Sequence, residues 1–203
     1  SNEIDATLRG NFKIMDLHST TLSFLHNYFP AYIPLPKRSI QNQDFTFDIV
    51  TKKIAPFLSL WKIPVEGFDY STINGRISTI ENKFNLQTNV PLFIYKDKYT
   101  SITFNNVQIT GVGDNKKLDL QGTLDEIQLN DSISLPKTTF RVSAANDTGF
   151  VSINTSASQT LKNANLNAHI STTKEGVGIV FRPSTLVLND KIWAIEDKSD
   201  LFI

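Results

Sequence analysis

Apolar residues recur at every second position along most of the chain. Ile4, Ala6, Leu8, Phe12 and Ile14 begin the series, followed by Phe45, Phe47 and Ile49, then by Phe84, Leu86, Thr88 and Val90. The alternation returns in Leu118, Leu120 and Leu124, in Phe140, Val142 and Ala144, and in Val151 and Ile153. It closes with Leu166, Ala168 and Ile170, then Val177, Ile179 and Phe181. The intervening positions are mostly Thr, Asn, Ser, Lys and Gln. Period two predicts strands with one apolar and one wet face. Clusters of Gly, Asn and Asp separate the strands: Gly113-Asp114-Asn115, Asn130-Asp131, Asn146-Asp147-Thr148-Gly149, Lys174-Glu175-Gly176 and Asn189-Asp190. Links this short, from about residue 68 onward, predict an antiparallel meander. A bulge at Asn105-Asn106 would re-aim side chains there.

Two segments carry helical spacing instead. In residues 20–29, Leu22, Leu25, Tyr28 and Phe29 share a face, Ser19 is placed to cap, and Pro30 stops the run. In residues 53–61, Ile54, Phe57, Leu58 and Trp61 recur at i, i+3, i+4 and i+7, with Thr51 before them and Pro56 in the first turn. Tyr32-Ile33-Pro34-Leu35-Pro36 reads as an extended connector. The expectation is a single β-rich domain over residues 1–203 with a helical insert at about 19–62. The helices would cover one end of the core, or plug a groove mouth or dock a partner. Ser1-Asn2 reads as an expression scar, and on that reading the chain is expected to be an excised piece of a longer protein.

Composition narrows the function classes. The chain has 203 residues, 20 basic against 20 acidic, and zero net charge. A nucleic-acid binder would carry a basic patch and a high pI. Apolar residues are 40% and charged residues 20%, both below globular averages; uncharged polar residues, with 20 Thr and 18 Asn, make up the difference. Cys is absent, which removes disulfides, thiolate metal sites and Cys nucleophiles together. His18, His26 and His169 lack metal-ligand spacing, so neither a metal nor a cofactor is expected. Gly111-Val112-Gly113 and Gly176-Val177-Gly178 read as two-glycine turns, too short to cradle phosphate. Asp125 and Glu126, being adjacent, face opposite sides of a strand. Asp44, Asp48, Glu66 and Asp69 are the carboxylates that could meet as an acid/base pair, against a default of solvated charge.

A meander with one apolar face must hide that face by closing, by pairing two sheets or by curling into a trough. An open trough would exceed the apolar patch of an ordinary monomer and would suit acyl chains or apolar strands. Its candidate lining is Phe84, Leu86, Val90, Leu118, Leu120, Leu124, Phe140, Val142, Val151, Ile153, Leu166, Ile170, Val177, Ile179 and Phe181.

Phe181-Arg182-Pro183-Ser184-Thr185-Leu186-Val187-Leu188-Asn189-Asp190-Lys191-Ile192-Trp193-Ala194-Ile195 resembles a recurrent hairpin of TamB-like proteins of the Bacteroidetes type. Its key positions are Pro183, Ser184, Asn189, Trp193 and Ile195. Asn42–Ile49, the run into Leu60-Trp61, and Tyr28-Phe29-Pro30-Ala31-Tyr32 are similar to that family as well. On the residues alone, Pro183 belongs at a strand edge or bulge, Asn189-Asp190 at the turn, and Trp193 on the return strand as an anchor.

The resemblance implies a periplasmic, non-catalytic segment of the AsmA-like superfamily, held to the inner membrane by an anchor elsewhere in the full-length protein. It implies a taco-like or partly closed sheet with an apolar interior, serving phospholipid transport between the membranes or outer-membrane protein assembly. Phospholipid or an apolar strand would be the cargo, and a TamA-like outer-membrane protein of the Omp85 type the partner. The alternative is a closed structural or partner-binding β domain, a spacer in an envelope protein. A carbohydrate-active β-sandwich is weaker still, because Trp61 and Trp193 both fall on apolar faces.

Overall fold

The computed structural model describes the chain except residues 1, 38, 39, 41, 55, 57, 59–64, 97, 99, 131, 132, 156–160, 189, 196–199 and 203. The described strands are β1 (Ile4–Asn11), β2 (Asp44–Thr51), β3 (Val65–Gly67), β4 (Thr72–Ser78), β5 (Lys83–Lys96), β6 (Ser101–Asp114), β7 (Leu118–Leu129), β8 (Ile133–Ala145), β9 (Thr148–Thr155), β10 (Leu161–Thr172), β11 (Val177–Leu188), β12 (Lys191–Ile195) and β13 (Asp200–Phe202). A 3-10 turn (Ile14–Asp16) leads into helix α1 (Leu17–Tyr28).

All of the described strands join one antiparallel sheet. Its main path is β1-β2-β4-β5-β6-β7-β8-β9-β10-β11-β12, with β3 beside β5 and β13 beside β11. Chain neighbours are sheet neighbours, as short polar links dictate. The β8–β9 link has two residues, and both Asn146 (φ 48°) and Asp147 (φ 60°) are left-handed. That is the primed hairpin turn, whose twist matches the strands, and Asn and Asp tolerate it best.

The sheet does not close on itself. The chain exposes 13163 Å² for 22.8 kDa. A compact globule of this mass exposes about 9,600 Å², so the single layer leaves much of its surface in contact with solvent.

Several sequence expectations change. Helix α1 begins at Leu17 with Asp16 at the N-cap, so Ser19 lies inside it. Ile14, placed in the opening strand by its period, stands 74% exposed in the 3-10 turn. The 19–62 region is not a helical insert throughout, because β2 lies within it and pairs with β1 and β4. The second expected helix falls largely outside the described residues, Trp61 included; within it the Leu58 N–H donates to the Ile54 carbonyl at 3.1 Å. Gly111 and Gly113 are not turn residues but part of β6.

Two irregularities sit where chemistry puts them. Pairing opens along Pro91, Asn106, Asp125 and Lys137, with Asn106 at φ 50° and Lys137 at φ 39°, while the register on either side is kept. Pro91 has no N–H to give a ladder, and the Asn106 side chain bridges to Asp125 at 2.7 Å. In β11, Pro183 and Ser184 together oppose Leu166, a bulge that returns Ser184 to the register of Leu186.

Candidate apolar face and its helical cap

Strand register collects the alternating residues into rows that run across the sheet. The first row is Phe45, Ile77, Phe84, Gly113, Leu118, Ala144, Gly149, Ile170 and Ile179. The second is Phe47, Gly75, Leu86, Gly111, Leu120, Val142, Val151, Ala168 and Phe181. The third is Ile49, Ile73, Thr88, Ile109, Gly122, Phe140, Ile153 and Leu166. A fourth pairs Val90 with Val107 and then carries Leu124, Thr138, Thr155, Ala164, Leu186 and Trp193. Val177, opposite Thr172, falls beyond the first row on the same face. Every groove candidate named from the sequence therefore stands on one face.

Burial divides that face. Leu118 (7%), Leu124 (5%) and Val90 (6%) are buried. Phe84, Leu86, Leu120, Phe140, Val142, Val151, Ile153, Leu166, Ile170, Val177, Ile179 and Phe181 are half-buried. In the fourth row Thr138 and Thr155 are buried as directly paired neighbours, and neither hydroxyl has a hydrogen-bond partner.

Glycines shape the floor, and the period-two reading missed them. Gly75, Gly111, Gly113 and Gly122 sit directly opposite Phe47, Leu120, Phe84 and Phe140. A Cβ at Gly111 would lie 2.5 Å from Leu120 Cδ2, and one at Gly75 2.8 Å from Phe47 Cζ. A Cβ at Gly113 would strike Phe84 and the Tyr28 hydroxyl, and one at Gly122 would strike Phe140. Each large side chain thus occupies the space that a Cβ on the glycine opposite it would need, and three of the four are aromatics that shield a glycine in a sheet. The signal was present as a glycine on the apolar parity of a strand, but an isolated strand glycine ordinarily reads as a turn or bulge.

Helix α1 lies over the first row. Phe24 meets Phe84 edge-on at 5.6 Å, and Tyr28 packs with Phe84, Leu118 and Ala144. The Tyr28 hydroxyl donates to the Asp114 carbonyl at 2.7 Å. Burial, with Asp114 nearby, pushes that hydroxyl above its ordinary range, so it remains a donor. The helix end is clamped to the β8–β9 turn: the Asp147 N–H donates to the Tyr28 carbonyl, and Asp147 Oδ1 accepts from the Ala31 N–H and the Thr172 hydroxyl, each at 2.8 Å. Helix α1 therefore covers one end of the apolar face.

The hairpin residues have separate fates. Ser184 is 3% exposed; its hydroxyl accepts from the Asn167 N–H at 2.9 Å and donates to the Arg182 carbonyl at 2.7 Å, fixing the bulge beside Pro183. Ile195 pairs with Ser184 and is half-buried. Asn189 lies outside the described residues; Asp190 beside it has φ 62°. Trp193 does not anchor the sheet end by burial: it stands 55% exposed on the edge strand β12.

The carboxylates are spread out. Asp44 is chelated by Arg76 at 2.8 and 2.9 Å, which holds its carboxyl below the usual range. Asp69 accepts from the Ile54 N–H at 2.7 Å. Glu66 is on β3, opposite Ile94, whereas Asp44 aligns through Ser78 with Lys83 at the other end of β5. Asp125 bonds Asn106, and Glu126 bonds Asn105 and Ser134. Among the described residues no group of His, Asp and Glu is placed to hold a metal. His26 Nδ1 lies 2.6 Å from the Ile33 carbonyl, a local tie between α1 and the connector. No family model, curated protein or solved structure matches this chain.

Proposed function

We propose that the chain is a non-catalytic segment of a cell-envelope protein resembling the TamB-like family, and that its apolar face receives acyl chains or apolar strands. The observation that carries this reading is the second and third rows. Their large side chains line up across the sheet, stay half-buried, and belong to a sheet with two unjoined edges. An acyl chain laid along them gains about 0.8 kcal/mol per methylene removed from water. A taco-like curl of the sheet would turn this face inward and make it a trough. Helix α1 covers the first row, so cargo would lie along the second and third rows rather than pass beneath the helix. In the full-length protein the segment would work in the periplasm between an inner-membrane anchor and a TamA-like partner, in phospholipid passage or outer-membrane protein assembly.

The spacer reading is favoured by one observation, the deep burial of Leu124, Thr138, Thr155 and Ala164 in the fourth row. A core sealed throughout would make the domain structural. Native mass spectrometry of the purified protein, with extraction and identification of retained lipid, separates the two. Stoichiometric phospholipid, displaced on Val151→Asp, is the expected result. A lipid-free protein that takes up no added phospholipid would leave the spacer.

A further inference from the structure

The opposite face carries a second feature, independent of the apolar one. Three clefts run across the polar side of the sheet. One of about 300 Å³ includes Asn74, Gln87 and Thr110; two more, of about 590 and 700 Å³, share Thr110, Gln121, Arg141 and Ser152. Gln87, Thr110, Gln121, Arg141 and Ser152 are directly paired in register, so they form one row across β5–β9. At about 4.8 Å per strand the row extends about 19 Å.

The Thr110 hydroxyl donates to the Gln121 carbonyl and the Ser152 hydroxyl accepts from the Asn154 amide, each at 3.5 Å, while the other three side chains of the row are unspent. Among the described residues, Gln87, Gln121 and Arg141 make no side-chain hydrogen bond or ion pair. The asparagines further along the sheet differ: Asn165 donates to Asn154 at 2.8 Å and Asn167 to Asn165 at 2.6 Å. In the cleft of about 700 Å³ Lys117 neutralises Asp119 at 2.8 Å, leaving Arg141 as the uncompensated charge. Phe150, 44% exposed, supplies an apolar wall there.

We infer that this row is a binding site for an acidic glycan chain laid across the strands. Free amides present a donor and an acceptor side by side, as vicinal hydroxyls require. A pyranose unit advances a glycan by about one strand spacing, which matches the repeat of the row. The single unpaired guanidinium matches a carboxylate on the sugar, bound through two parallel hydrogen bonds, and the Phe150 ring offers a surface for the apolar face of a sugar ring. One net positive charge is too little for a nucleic-acid backbone.

The test is an amide NMR titration of the protein with oligogalacturonate, run beside a neutral maltooligosaccharide and polyglutamate. Shifts confined to the outer-face residues of β5–β9 are expected, with affinity for the neutral sugar about tenfold weaker. Arg141→Gln, at an exposed position and checked for fold by circular dichroism, should lose about tenfold for oligogalacturonate, and Arg141→Lys should lose less. Absence of shifts at millimolar oligogalacturonate, full affinity in Arg141→Gln, or equal binding of polyglutamate would each overturn the assignment. None of these outcomes bears on the apolar face, which lies on the other side of the sheet.

Discussion

The two ends of the sheet are built from the same alternation and end in different states. Under α1, Leu118 is 7% and Ala144 2% exposed, whereas on the edge hairpin Trp193 is 55% exposed. The strand pattern sets which side chains share a face. Whether that face is dry depends on what surrounds each position: α1 lies over the first row, Leu124 and Ala164 of the fourth row are buried on interior strands, and Trp193 of that same row stands exposed on the edge strand. Tyr28 concentrates the difference, because its ring fills the first row while its hydroxyl and carbonyl satisfy backbone groups of two turns.

Removing that ring should therefore give the largest effect. Tyr28→Ala is expected to cost about 3–5 kcal/mol in urea unfolding, against less than about 0.5 kcal/mol for Trp193→Ala at its exposed position. Equal losses at the two sites would erase the contrast. Next comes the floor between the ends. Gly122→Ala should cost about 1–3 kcal/mol, because its Cβ would press on both the Phe140 ring and the Gln108 carbonyl. The loss should shrink in the presence of Phe140→Ala, as a double-mutant cycle would show. An additive cycle would mean that Phe140 does not depend on that glycine.

The glycines also mark how far the sequence could be read. Period two placed the groove candidates on one face because neighbouring Cβ atoms alternate, and the short Asn/Asp links gave the meander. What it could not reach were properties set by more than one strand. Gly111 and Gly113 look like turn residues until register puts Leu120 and Phe84 over them. The start of α1 at Leu17 rather than after Ser19 has no local marker, because Asp16 and Ser19 cap equally well by type and Asp16 makes no side-chain cap. Exposure of Trp193 was invisible as well, since no local signal tells an edge strand from an interior one. The free polar row was hidden for the same reason. Gln87, Gln121 and Arg141 are ordinary wet-face residues until pairing aligns them.

Smaller effects sharpen the picture. Thr138→Val and Thr155→Val should each raise stability by about 1 kcal/mol, since each removes a buried hydroxyl without a partner. A loss in both would mean that those hydroxyls are hydrated. Acid should loosen the capped end first. Asp114 is held below the usual carboxylate range by the N–H groups of Lys116 and Lys117, and Asp44 by Arg76. A depressed carboxylate stabilises the fold above its unfolded pKa of about 3.9 and loses that contribution as pH falls through the lower, folded value. Both lie at the α1 end of the sheet, so amide protection near residues 114–117 should fall at pH values where β11–β12 protection is unchanged. Uniform loss along the sheet would contradict this.

The central claim is that the second and third rows are open to an apolar ligand. It is tested most directly by methyl NMR of the Ile, Leu and Val side chains in the presence of a spin-labelled lysophospholipid. Broadening of Leu86, Val142, Val151, Ile153 and Leu166, with Val112 on the polar face unaffected, is the predicted result. Broadening of Val112 alone, or of no methyl at saturating lipid, would contradict it.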